Sequence, residues 1–326
     1  MITCPGCGGE FPPELISLLV ETVALLCCSR CNTTFSPSEA DKEIPDVVYK
    51  YRPPDDRSIQ ILLDRRLFCG PPRSLNDPLD CQFDMKAEVN RALVRIASRL
   101  GDDSERLRRL RTIRAALLRS VETNNPRSGE PMTFIELHQE QLAETGVLCF
   151  SEEADIGVLW AHYAANHTGF SLGFDPTRLV QDPPDEAAKS DFGKGAAVLT
   201  RVSYGVEDPF DGPLAEFVWG EGVYRTIDSE DLQIALAISR TTLESLFAKT
   251  QAWSYEKEVR LIWSSRCGLF PFRNTSLRSI VYGLRIDPRT RSRLEEIIAQ
   301  PEWSHVRQQR VVLSSTRIGI ELHDCH

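Results

Sequence analysis

No run of apolar residues in the 326-residue chain approaches the roughly 20 that a helix needs to cross a bilayer, so no membrane role is expected. The first residues, Met1 to Pro5, lack the basic start and apolar core of a secretory leader. Absent too are a Walker loop, a Gly-x-Gly-x-x-Gly fingerprint, a Gly-x-Ser-x-Gly elbow and a His-Glu-x-x-His pair. The nucleotide-binding, hydrolase and metalloprotease classes that those motifs mark therefore have no support. There is no internal repeat. Positive charge is also short: a net charge of −9 offers no general attraction for nucleic acid or an anionic membrane. Basic residues do gather over Arg106–Arg119, a pattern that fits one solvated helix face.

What remains has globular composition, 41% hydrophobic and 26% charged, which excludes wholesale disorder. The length suits two domains, or one large domain with an appendage. Ten cysteines would suit a disulfide framework, but four of them have metal spacing. Cys4 and Cys7 form one Cys-x-x-Cys pair, and Cys28 and Cys31 form a second about 20 residues on. Gly6 and Gly8 supply the dihedrals that a thiolate-bearing turn wants. Phe11 and Phe35 follow the two knuckles at matching places. A closed set of four thiolates makes a structural zinc site with no position left for substrate. A zinc ribbon is thus expected over residues 1–40, with Cys27 as a spare thiol and a linker at 41–46. Free thiols point to a reducing cytoplasm. The ribbon carries Glu10, Glu14 and Glu21 against Arg30, which does not favour DNA; a macromolecular acceptor, protein or nucleic acid, is its expected partner.

Residues 47–326 read as an α+β domain with a mixed or antiparallel sheet and a helical insertion at about 86–145. Val47–Arg52 is a short strand stopped by Pro53 and Pro54. It leaves Arg52 at its end, where a guanidinium grips phosphate or closes a salt bridge. Ser58–Asp64 reads as a helix and Asn76-Asp77-Pro78 as a turn whose side chains bond their own backbone. Apolar spacing predicts helices on either side of Gly101, with Ser104 as the second cap, and another over Pro131–Thr145. Gly146–Phe150 is a strand delivering Ser151. Asp155 is placed to cap a short helix carrying Trp160, His162 and Tyr163, and Phe170–Asp175 is a strand with Ser171 and Gly173 outward. His162 and His167, five apart, are poor spacing for a metal pair. A helix over Ser229–Thr250 is expected to end on Lys249, complementing the macrodipole.

The most informative stretch is Trp253–Ile262. Read as a strand, it puts Glu256 and Glu258 on one face with Arg260. Two carboxylates so close suit an acid–base or hydroxyl-gripping site, and equally a sheet-edge ion cluster.

Taken together, Tyr49–Arg52, Asn76–Pro78, Cys149–Ser151, Leu159–Tyr163, His167–Phe170, Lys249 and Trp253–Arg260 resemble the bacterial family called domain of unknown function 2971, over about residues 47–285. A second similarity is to ADP-ribosyltransferases of the arginine–serine–glutamate type. It implies that Arg52 clamps a pyrophosphate, Ser151 bonds the nicotinamide ribose and Glu258 grips its 2′-hydroxyl. On the same resemblance Glu256 orients or deprotonates the acceptor, and Trp160, Tyr163 or Tyr255 stacks the nicotinamide. The chain departs from that pattern in having Phe-Ser-Glu where Ser-Thr-Ser is usual, and in lacking an aromatic turn before Glu256. The expected function is NAD-using ADP-ribosyl transfer or NAD hydrolysis, in a bacterial toxin or anti-phage effector. Competing readings are a non-catalytic nucleotide or nucleic-acid binding module, and a magnesium nuclease using Asp77, Glu256 and Glu258.

Overall fold

The computed structural model describes residues 25–27, 34–35, 44–124, 129–181, 197–206, 208–225, 227–263 and 267–325. The four cysteines of the expected zinc ribbon lie outside them. In chain order the strands are β1 (Leu25–Cys27), β2 (Thr34–Phe35), β3 (Val48–Arg52), β4 (Arg66–Cys69), β5 (Ser120–Asn124), β6 (Pro131–Thr133), β7 (Gly146–Ser151) and β8 (Phe170–Phe174). They continue with β9 (Ala197–Arg201), β10 (Ser203–Tyr204), β11 (Ala248–Lys249), β12 (Glu258–Trp263), β13 (Gly268–Pro271), β14 (Leu277–Tyr282), β15 (Arg307–Leu313) and β16 (Ile320–Asp324). Ten of them form one sheet in the order β16-β15-β14-β8-β3-β7-β12-β9-β1-β2. All its neighbours are antiparallel except β14 and β15. The expected α+β class with a mixed sheet is what the chain adopts.

The sheet forks in the middle. β3 pairs with β8 over five residues and β7 pairs with β12 over six, yet β3 and β7 share one residue pair, Tyr49 with Ser151. Buried backbone groups need partners, and the flank of β7 that turns away from β12 finds three different ones. Val147 exchanges two hydrogen bonds with Gly70. The Cys149 carbonyl accepts from Lys50 Nζ at 2.8 Å, and Ser151 pairs with Tyr49. A lysine and a neighbouring loop thus do what a full strand ladder would otherwise do. The space between the splayed strands becomes a cavity.

Apolar layers cover the sheet and explain why its central strands are buried on both sides. One layer joins Val48, Phe150, Leu172, Phe174, Val259 and Leu261 to the helices Asp56–Asp64 and Pro288–Ile298. The opposite layer sets Val147 and Ile262 against the helices Met85–Ala97, Ser104–Leu117, Asp211–Trp219 and Glu230–Leu246. A third cluster packs Trp160 and Leu159 of the helix Gly157–Tyr163 on Tyr51 and Val281.

Several local expectations change. Asp103, not Ser104, caps the helix that follows it, accepting from Arg106 N at 3.0 Å. Asp155 caps nothing: the short helix begins at Ile156 without a side-chain cap. The helix expected from Pro131 starts at Phe134, because Pro131–Thr133 pairs with β5 and Thr133 closes a capping box with Glu136. Ser171 and Gly173 face inward, since β8 lies between β3 and β14 under cover on both faces. The long helix stops at Leu246 and Lys249 enters β11.

Gly169 fixes where Arg52 emerges. A Cβ on it would sit 2.0 Å from the Arg52 carbonyl oxygen and 3.1 Å from that of Ala164, both backbone atoms that cannot swing aside. We expect Gly169→Ala to cost about 1–3 kcal/mol by overpacking in urea denaturation. Gly157→Ala, with nothing within 4 Å of the added methyl, should leave stability unchanged; equal effects from the two would refute this account.

Candidate functional site

The cavity in the fork has a volume of about 350 Å³ and is lined on one side by Lys50 and Arg52 and on the other by Asp80, Glu256, Glu258 and Lys249. Ser151, His162 and Tyr163 complete the wall between them. Three strands that are neighbours in the sheet therefore bring Arg52, Ser151 and Glu258 to one cavity. Glu256 arrives differently from the strand reading. It ends a 3₁₀ turn, Gln251–Glu256, and Lys257 follows in the left-handed conformation at φ 44°. That kink turns Lys257 out to Glu153 and leaves Glu256 and Glu258 converging on the same ammonium.

That ammonium is Lys249. Its Nζ lies 2.6 Å from Glu256 Oε2, 3.1 Å from Glu258 Oε2 and 3.5 Å from Asp80 Oδ2, and 4.9 Å from the centre of the Trp253 ring. Burial opposes its charge, but Glu258, Glu256 and Asp80 together more than offset this and raise its pKa. The expected helix-end role passes to Arg260, whose Nη1 donates to the Leu246 carbonyl at 2.6 Å.

Arg260 is 0% exposed and lies behind the carboxylates. It holds Glu258 with Nε at 2.8 Å and Nη2 at 3.0 Å, and Asp80 with Nη1 and Nη2, each at 3.0 Å. With the Leu246 bond, every guanidinium hydrogen has an acceptor. Burial alone would raise the Glu258 carboxyl, yet Arg260 and Lys249 hold it at about 2. Glu258 is ionised at neutral pH and both its oxygens are engaged. Three carboxylates against two cations leave the cluster one negative charge in excess.

Glu256 stands nearer the ligand space. Its Oε1 accepts from Tyr163 OH at 2.7 Å, and Asn76 Nδ2 reaches that hydroxyl at 3.3 Å. Burial and then the Glu256 carboxylate push the Tyr163 phenol up, so it stays protonated and donates. Ser151 Oγ donates to the Glu256 carbonyl at 2.7 Å and accepts from Glu153 N at 3.3 Å, which anchors the turn carrying Glu256. The Cys149 thiol is raised by burial and by Glu258, and is therefore a poor nucleophile.

Across the cavity the cations are less committed. Arg52 donates through Nε to Ser58 Oγ at 3.2 Å; among the described residues its two terminal nitrogens have no hydrogen-bond partner. Lys50 donates to the carbonyl of Cys149 and, among the described residues, has no carboxylate within bonding distance, and burial lowers its pKa.

Of the aromatic candidates only Tyr163 lines the cavity. Trp160 is 0% exposed, set edge-on to Tyr51 at 5.2 Å and stacked on His167 at 6.3 Å, so its faces are already occupied. Tyr255 packs beside Trp253 and His162 outside the lining. Asp77 spends its carboxylate on Leu79 N at 2.9 Å, and the place expected for it is taken by Asp80. Among the described residues no group of His, Cys, Asp and Glu is arranged to hold a metal. Lys50 and Asp80 were missed by sequence reasoning. Lys50 lay in plain view two residues before Arg52, whereas Asp80 gave no signal beyond the turn that carries it.

Fold and site together define an α+β protein with a mixed-charge cavity at a split in its sheet. The family described as "Protein of unknown function (DUF2971)" matches residues 159–261. This span carries His162, Tyr163, Lys249, Glu256, Glu258 and Arg260, but not Arg52, Asp80 or Ser151. No curated protein and no solved structure matches the chain.

Glu258 yields a stability prediction with a definite sign. Its pKa is depressed from an ordinary 4.5 to about 2, so its contribution is complete above about pH 4.5 and is lost as pH falls towards 2. Glu258→Gln should cost about 3–5 kcal/mol at neutral pH, because it breaks a buried ion pair and sets an amide donor against the donors of Arg260 and Lys249, which keep only Asp80 and Glu256 as anionic partners. The gap to wild type in urea melts should narrow steadily between pH 4.5 and 2. A gap that does not change with pH would mean that the carboxylate's charge is not what matters.

Proposed function

We propose that the cavity binds a dinucleotide of the NAD class and promotes cleavage of its nicotinamide–ribose bond, as an ADP-ribosyltransferase or an NAD glycohydrolase. The observation that carries this reading is the convergence on one cavity of Arg52, Ser151 and Glu258 from three adjacent strands and of Glu256 from the turn before the third. In it, the unpaired terminal nitrogens of Arg52, with Lys50 beside them, take the pyrophosphate bidentately. Glu256 and Tyr163 meet the hydroxyls of the nicotinamide ribose. As the bond from C1′ to nitrogen breaks, nicotinamide leaves with the bonding pair and positive charge develops on the ribose. The excess negative charge of the buried cluster, fixed in advance, stabilises that charge. Water or an acceptor hydroxyl then attacks C1′, and Glu256 receives its proton. Glu258, bound on both oxygens, acts by its field and not by gripping a hydroxyl.

A second reading, a nucleotide-binding module without turnover, draws on the same saturation: Glu258 and the Ser151 hydroxyl are already engaged by the protein. The magnesium-nuclease reading has less support, since Lys249 and Arg260 stand between the carboxylates that would share a cation. The spacing of Cys4, Cys7, Cys28 and Cys31 supports a structural zinc and a ribbon that selects a macromolecular acceptor. A role as a toxin or anti-phage effector belongs to the proposal through the transferase resemblance alone.

Nicotinamide release from NAD by the purified protein tests the reading, beside Arg52→Ala and Glu256→Gln. Wild type should release nicotinamide, with Glu256→Gln slower by on the order of a hundredfold and Arg52→Ala weakened chiefly in KM. Binding without release, seen as a rise in Tm with NAD, would establish the module instead; neither signal would end both readings.

Lys50 provides an independent check. Burial holds its pKa low in the free protein, and a phosphate set beside it must raise that pKa. Binding of NAD should therefore take up protons on the alkaline side of neutrality. Titration calorimetry in buffers of different ionisation enthalpy reads this directly, and Lys50→Met should abolish it.

A further inference from the structure

A second cavity, of about 550 Å³, lies against the first. The two share Lys50, Arg52, Ser74, Leu75 and Cys149 in their linings, so these two cations form the saddle at which the cavities adjoin. Their far ends differ. The first ends in three carboxylates, Asp80, Glu256 and Glu258, whereas the second is bounded by Arg57, Arg66 and a single carboxylate, Asp64, together with the apolar Phe68 and Leu269.

Phe68 and Leu269 face each other across β4 and β13. Both stand out of the fold, at 59% and 54% exposure. Alternate residues on the same strands, Leu67 and Phe270, are buried in the core. This two-stranded ribbon is therefore anchored in the core by its other face, and the Phe68–Leu269 pair stands outside that core. Gly70 lets the chain pass close to both Ser74 and the edge of the ring: a Cβ there would lie 2.3 Å from Ser74 Oγ and 3.1 Å from Phe68 Cε1. An exposed aromatic face with guanidinium groups nearby is the surface on which bases stack, because every base offers a π-face.

We propose that the second cavity holds the other nucleoside of the dinucleotide, its base stacked on Phe68 and Leu269, with the pyrophosphate on the Lys50–Arg52 saddle between the two halves. This rests on the nucleotide reading of the first cavity and deepens it. A ligand that crosses the saddle must be negative at its middle and carry an organic group at each end. Arg57 and Arg66, both exposed, outnumber the one carboxylate at that end, Asp64, on a chain whose net charge is −9. The adjoining cavities therefore select phosphate-linked ligands by where charge lies, not by total charge.

The test compares NAD, ADP-ribose, AMP and nicotinamide mononucleotide by titration calorimetry on wild type, Phe68→Ala and Phe68→Tyr. Wild type should bind NAD at least tenfold more tightly than nicotinamide mononucleotide. Phe68→Ala should weaken NAD and ADP-ribose by about tenfold, the scale of one base stacked on an aromatic side chain, and leave nicotinamide mononucleotide unchanged. Phe68→Tyr should restore the difference. NAD bound equally by wild type and Phe68→Ala, or no more tightly than the mononucleotide, would overturn the second subsite while leaving the first cavity's function standing. Failure of wild type to bind any of the four would overturn both.

Discussion

A guanidinium buried in a protein core must have all its hydrogens accepted and its charge answered, and the structure around Arg260 is organised by that requirement. Asp80 from the turn after Pro78, Glu258 from the head of β12 and the last carbonyl of the helix Glu230–Leu246 come together because this one side chain needs them. Each belongs to a different part of the chain, so the ion cluster also ties the helical layer to the sheet. Replacing the whole group with apolar residues would remove that desolvation cost, and the general experience is that such replacements are often neutral or stabilising. What they would not preserve is a fixed negative field at the mouth of a cavity.

The two sides of the cavity use charge in opposite ways. On the β12 side, cations and carboxylates neutralise one another almost completely, and the groups are immobile because each is held by two or more partners. On the β3 side, Lys50 bonds to a carbonyl and Arg52 to a hydroxyl, neutral acceptors, and carboxylates such as Asp55 and Glu258 act on them only across space. The fork creates this contrast. Had β3 and β7 paired along their length, the Cys149 carbonyl would be held by a backbone amide and Lys50 would have no reason to reach it. A defect in the ladder is thus what places cationic side chains in a cavity within the sheet.

Much of this was legible in the sequence because it is periodic or local. The strands ending in Arg52 and Ser151, and the one beginning near Val259, follow from β-branched and aromatic runs with turn residues at their limits, and it is the resemblance to ADP-ribosyltransferases that groups their residues in one site. What could not be read was of two kinds. Cross-chain partners such as Asp80 for Arg260, separated by 180 residues, have no sequence signature, since any carboxylate would satisfy the same local pattern. Tertiary packing also overrode local reading. Trp160 looks like a stacking residue beside Tyr163, three positions on and so on the same side of the helix, but its indole donates to the Ala154 carbonyl at 2.7 Å and packs edge-on to Tyr51. The helix Gly157–Tyr163 sends Tyr163 to the cavity and Trp160 into the core.

The same reasoning explains why the two glutamates, separated by Lys257 alone, cannot be interchangeable. A continuous strand would have given Glu256 and Glu258 equivalent surroundings on one face. The left-handed Lys257 breaks the strand between them. Glu258 therefore starts the ladder, with its amide bonded to Tyr204 OH at 2.7 Å and its carboxylate clamped by Arg260. Glu256 stays in the turn, held through its own carbonyl by Ser151. Its carboxylate is shared with Tyr163, a phenol that can change partner when a ligand hydroxyl arrives, and with Lys249. A group that must exchange partners during a reaction belongs where its bonds are side-chain bonds to mobile donors. A group that supplies only field belongs where nothing can move, and the kink at Lys257 separates those two requirements within three residues.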